Sequence, residues 1–240
     1  MRKSFWLFWA LLLTGCGGSG SVNGPPPPPT AGAFQESWHA TVVSQTGSSF
    51  TNFDVFITQN GSSVQSQQVL LNQICGQQGT MAGSSTATSL TVTITLNTSP
   101  TNTDTILVNG TLSGGAITGT YATSGPCVGG DHGTFSAETI PSVSNSQWSG
   151  SISSGTGQDA MMGSITEETS TGNLTANFTF GTGFCITQVS MTGNLVGNAI
   201  LMGSSSGALS LNGNVDSQGK IMSGNYTDSC QFGVFDISHP

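Results

Sequence analysis

The chain has 240 residues with 3 Lys or Arg against 11 Asp or Glu, a net charge of −8, and only 6% of its residues are charged. Two of the three cations are Arg2 and Lys3, so the rest of the chain sets the single cation Lys220 against all 11 acids, a balance of −10. One basic side chain cannot neutralise a row of phosphates or make a basic patch on anionic lipid, which argues against nucleic-acid binding and against electrostatic membrane docking.

The first element in chain order is an apolar run, Phe5 to Leu13, behind the basic pair Arg2-Lys3. It is shorter than the roughly 20 residues that cross a bilayer, and its layout is that of an export signal over residues 1–15. It ends in Leu13-Thr14-Gly15-Cys16. This motif resembles the lipobox of bacterial lipoproteins. The resemblance implies that Cys16 becomes the first mature residue, carries diacylglycerol on sulfur, and gains an acyl chain such as palmitate on its freed amine. Two or three chains hold a protein firmly where one does not. Gly17, standing where an Asp would signal inner-membrane retention, points by the same resemblance to the outer membrane, on its periplasmic face or at the cell surface.

Residues 16–33 read as the lipidated cysteine plus a tether. The Gly- and Ser-rich part is flexible, and Pro25 to Pro29 predicts a short polyproline II rod. The cysteines fit export. There are five; with Cys16 lipidated, Cys75, Cys127, Cys185 and Cys230 form an even set, which in an oxidising compartment is a disulfide framework.

The remainder reads as two copies of one β unit, residues 34–139 and 148–240, joined by a linker at 140–147. Trp38-His39-Ala40-Thr41-Val42 matches Trp148-Ser149-Gly150-Ser151-Ile152, and Cys75 matches Cys185. Thr80-Met81-Ala82-Gly83 matches Ser190-Met191-Thr192-Gly193. Ile117-Thr118-Gly119-Thr120-Tyr121 matches Met222-Ser223-Gly224-Asn225-Tyr226, and each copy then reaches its second cysteine and an aromatic final segment. Repeat symmetry selects Cys75–Cys127 and Cys185–Cys230, each closing a loop of about 50 residues and contributing roughly 4 kcal/mol in the chain-entropy model.

Within each copy the period is two. Leu90, Val92, Ile94 and Leu96 alternate with Thr, and Leu174, Ala176, Phe178 and Phe180 alternate with Thr and Asn, as half-buried antiparallel strands require. Asn60-Gly61 is a tight-hairpin signal, with Thr171-Gly172-Asn173 in the corresponding place. The expected fold is all-β: two tandem, small antiparallel meander barrels, each with one disulfide, with a β-sandwich as the alternative. The Gly-Thr-Tyr segment and the Trp in the first strand are similar to avidin-like and lipocalin-like barrels, a resemblance of shape that carries no ligand across.

Candidate chemistry is sparse. Asp131-His132 is the most reactive-looking pair and supports, as a third-ranked reading, a hydrolase; neither a nucleophile elbow nor a complete triad accompanies it. Glu167-Glu168 are neighbours on a strand, so their side chains point to opposite faces and do not converge as an acid–base pair. No acid or His/Cys spacing suits calcium or zinc, so no metal and no cofactor is expected. Trp38 and Trp148, with Tyr121 and Tyr226, are candidate ligand contacts; the competing reading makes each Trp a plug for one barrel end, its N–H bonded to backbone. The expected function is therefore a non-catalytic, membrane-anchored lipoprotein presenting two β domains to an envelope protein, a glycan or a small molecule. The alternative is a carrier with an apolar cavity in each barrel.

Overall fold

The computed structural model describes residues 32–240 apart from 48–49, 73–75, 100–101 and 156, with side chains at 97–99 and 102 left aside. All regular elements among these residues are strands. The first nine are β1 (Ser37–Ser44), β2 (Asn52–Phe56), β3 (Thr58–Asn60), β4 (Ser63–Leu71), β5 (Gln78–Ser85), β6 (Ser89–Ser99), β7 (Asn102–Ser113), β8 (Ala116–Ser124) and β9 (His132–Thr139). The next eight are β10 (Asn145–Ser154), β11 (Gly157–Glu168), β12 (Asn173–Phe180), β13 (Gln188–Val196), β14 (Ala199–Ser204), β15 (Leu209–Val215), β16 (Ile221–Asp228) and β17 (Phe232–Ser238).

These make two closed antiparallel meander barrels in tandem, as the period-two runs and the repeat predict, and not sandwiches. In the first, β2 and β3 are two halves of one strand broken at Ile57, and both halves pair with β4, Phe53 opposite Leu71 and Thr58 opposite Gln65. Closure comes from β1 against β9, with Trp38 opposite Thr139 and Ser44 opposite Gly133. In the second, β10 closes on β17, with Ser149 opposite Ser238 and Ser154 opposite Gly233. Closure leaves few open edges, which a chain with Lys220 as the one Lys or Arg among its described residues has little means to protect.

Alternation decides the faces. Along β12, Leu174, Ala176 and Phe178 are buried while Asn173, Thr175 and Asn177 are exposed. The interiors are mainly apolar, with Trp38, Phe53, Ile94, Ile106 and Phe135 in one and Trp148, Met161, Phe178, Ile200 and Phe235 in the other, while Asp104, Ser66 and Ser85 are buried polar exceptions in the first. Apolar inside with Thr, Ser and Asn outside is the reverse of a barrel that crosses a bilayer on its strands. Among the described residues, no helix is long and apolar enough to cross one.

The duplicated Gly-x-Tyr motif has a packing cause. Gly119 lies opposite Gly110, and Gly224 opposite Gly213. A Cβ on Gly119 would sit 1.9 Å from the Asn109 carbonyl oxygen, and one on Gly224 would sit 2.2 Å from that of Asn212. The glycine pairs leave room for aromatic rings, Phe135 over Gly110 and Phe235 over Gly213. Tyr121 and Tyr226 then face Gly133 and Gly233 across the next ladder.

Cys185 and Cys230 form a disulfide across the loops after β12 and β16, with Cα atoms 6.5 Å apart. Cys127 is also disulfide-bonded; Cys75, its expected partner, lies outside the described residues. So do Cys16 and all but the last two residues of the tether. The stretch between the barrels is packed, not free: Ile140 and Val143 belong to the second core, and the Val143 N–H donates to Glu167 Oε2 at 3.0 Å.

Candidate functional site

Each Trp stands at the start of its barrel's first strand and closes that end. Trp38 is 2% exposed and donates its indole N–H to the Phe34 carbonyl at 2.9 Å. Trp148 is 1% exposed and donates to the Val143 carbonyl at 3.1 Å, with the His239 ring edge-on at 4.5 Å. A buried indole needs such an acceptor, and in both copies the residues just before the strand supply it.

The two Tyr residues lie toward the opposite ends. The Tyr121 hydroxyl donates to Asp131 Oδ2 at 2.9 Å, while the hydroxyls of Ser44 and Thr46 both donate to Asp131 Oδ1 at 2.6 Å. Burial, then the bond to Asp131, pushes the Tyr121 phenol up to about 12. In the second barrel Gln231 follows the disulfide where Asp131 follows Cys127 in the first, and burial alone is the main cause raising the Tyr226 phenol. All four aromatic candidates are thus interior side chains, and none presents a ring face to solvent.

The reactive-looking pair separates by role. The Asp131 carboxylate is occupied by three hydroxyls, whereas His132 is exposed, with Nδ1 3.4 Å from the Gly130 carbonyl. Glu167 accepts from Val143, and Glu168 accepts from Ser170, Thr171 and Asn173 at the turn after β11. Those bonds, Thr171 first, lower the Glu168 pKa. Cys185, Cys230 and Asp228 cluster within 4.8 Å, but both sulfurs are committed to the disulfide and only a single carboxylate remains.

The junction between the barrels is the arrangement sequence reasoning missed. His39 and Asp54 face each other across β1–β2, and His39 Nδ1 lies 2.7 Å from Asp54 Oδ1. Glu138 faces His39 from the other side, on β9. The bond to Asp54 raises the His39 pKa, burial opposes it, and the charges of Asp54 and Glu138 add to the rise. Asp54 Oδ1 also accepts the backbone N–H of Asn198, in the β13–β14 turn of the second barrel, at 3.1 Å. Gly197 in that turn has φ +58°, and a Cβ there would fall 2.2 Å from Asp54 Oδ1. Ser37 Oγ donates to the Gly197 carbonyl at 3.2 Å, and Phe56 packs on Gly172.

Beside this junction a cleft of about 520 Å³ opens between the barrels. Its floor includes Phe56, Leu195 and Val196. Gln65, Gln67, Gln68 and Gln78 line it from the first barrel, and Asn173 and Asn194 from the second. Among the described residues, no ionisable side chain lines it. Asn194 Nδ2 donates to Asn173 Oδ1 at 2.9 Å, and Asn173 in turn donates to Glu168, so this amide pair is held in place. The only sequence signal was the run of Gln in β4, which reads as an ordinary solvated face.

Comparison with protein-family models, with curated proteins and with solved structures finds no match at a significant level.

Proposed function

We propose that this chain is a lipid-anchored lipoprotein of the cell envelope, exported and held at the outer membrane through Cys16, that works by contact and without catalysis. The observation that carries this reading is the contrast between filled barrel interiors and an open, uncharged cleft between them. A barrel axis occupied by Trp, Phe, Ile and Met side chains leaves no room for an apolar cargo, which counts against the carrier alternative. Asp131 is engaged by three hydroxyls, which counts against its use as the orienting acid of a hydrolase. Because both barrels contribute walls to the cleft, each chain offers one composite site rather than two equivalent ones.

The test has two arms. Mass spectrometry of the mature N-terminus is expected to find a lipidated Cys16, and Cys16→Ala is expected to leave the membrane fraction. The released Cys16→Ala chain is then expected to sediment saturably with washed envelope fragments. An unmodified Cys16 refutes the anchor, and failure to sediment refutes the contact role.

A further inference from the structure

We infer that the cleft between the barrels binds a neutral oligosaccharide, a deepening that rests on the contact reading above. The first argument is the chemistry of the walls. Six side-chain amides, Gln65, Gln67, Gln68, Gln78, Asn173 and Asn194, converge on one space. An amide offers donors and an acceptor together, which is what each sugar hydroxyl also offers and needs. Among the described residues, the amides of the four Gln have no protein hydrogen-bond partner, whereas the Asn pair is braced by Glu168. The walls therefore combine two positioned amides with four that can exchange water for a ligand hydroxyl.

The second argument is the departure from the repeat. In the second barrel β12 and β13 pair without a shift from Asn173 to Thr179. The equivalent β4–β5 ladder slips between Ser66 and Val69, leaving Gln67 and Gln68 without partners across it. Ser66 is 4% exposed, and its Oγ bonds the Gln68 carbonyl at 2.8 Å, which fixes the bulge. The neighbouring strand breaks at Ile57, where β11 runs on unbroken. Bulges re-aim side chains, and this one sets two Gln on the cleft.

The third argument is exclusion. Among the described residues, the lining has no cation to hold a phosphate, sulfate or uronate, and no anion to hold an amine. A peptide would gain most by adding a strand, but closed barrels leave no long free edge. The cleft volume lies in the usual range for ligand sites, about 300–1,000 Å³.

The experiment is titration calorimetry of the full chain in detergent. The neutral probes are maltohexaose, cellohexaose, laminarihexaose and chitohexaose; the controls are oligogalacturonate and an uncharged extended peptide. At least one neutral probe is expected to bind saturably, with affinity reduced about tenfold or more in Gln67→Ala/Gln78→Ala, since two hydrogen bonds are removed. Both residues are exposed, so circular dichroism and melting are expected to be unchanged. Gln147→Ala, outside the cleft, is expected to bind as the parent does. No heat with any neutral probe, equal affinity for oligogalacturonate or the peptide, or undiminished affinity in the double variant overturns the inference. If it falls while the Cys16→Ala chain still sediments with envelope fragments, the contact role stands and only the glycan is lost; if both fail, the contact role fails too.

Discussion

Asp54→Asn tests whether the barrels are joined by a charged latch. The substitution keeps the shape and an acceptor for the Asn198 N–H but removes the charge that faces His39 at 2.7 Å. His39 is 23% exposed and Asp54 8%. The bond therefore sits between a surface pair, worth about 0–1 kcal/mol, and a buried charged hydrogen bond, worth about 1.5–3 kcal/mol. A loss of about 1–2 kcal/mol is expected when His39 is protonated. The His39 pKa is raised above 6.5 in the fold, so its contribution is complete below the unfolded value and is lost as pH rises through the folded one. At pH 5.5 the variant should melt about 2–8 °C below the parent, given about 2–4 °C per kcal/mol for a protein of this size. At pH 8.5 neutral Nδ1–H can still donate to either side chain, and most of that difference should vanish. His39→Asn should show the same convergence. The assay is calorimetry at both pH values. Equal destabilisation of Asp54→Asn at pH 5.5 and 8.5 would falsify the ionic reading of the junction.

Three further outcomes follow from other parts of the molecule. The chain has 2 Tyr, both with raised pKa values, so absorbance at 295 nm should show less phenolate at pH 10–11 than the unfolded chain does while far-ultraviolet dichroism stays native. The folded state keeps protons the unfolded chain has shed, so stability should fall above pH 10; a native-state midpoint near 10 contradicts the burial argument. Trp148→Phe retains an aromatic plug but strips the Val143 carbonyl of its donor, and denaturant unfolding should register a loss of about 1–3 kcal/mol; a loss under 0.5 kcal/mol would show the bond to be incidental. Reducing or replacing Cys185–Cys230, which spans 45 residues, should cost about 2–4 kcal/mol and lower the melting temperature, and an unchanged transition would mean the closed barrel alone holds that end.

The local sequence carries the strands, their faces and the duplication, because side-chain alternation and glycine spacing are local properties of the chain. Leu174, Ala176 and Phe178 must share a face whatever the fold, and Gly119 and Gly224 mark close approaches that recur because the unit does. Its cysteines likewise imply one bridge per repeat, of which Cys185–Cys230 is seen directly. Three things needed the third dimension. Whether Trp38, Trp148, Tyr121 and Tyr226 meet a ligand or fill a core depends on ring closure, which turned one face of every strand inward. The junction depends on register: His39, Asp54 and Asn198 are distant in sequence and joined only where β1–β2 pairing meets the β13–β14 turn. Six polar amides read one at a time as solvated surface, and they become a candidate site only when a bulge in one barrel and a hairpin in the other place them across one cleft.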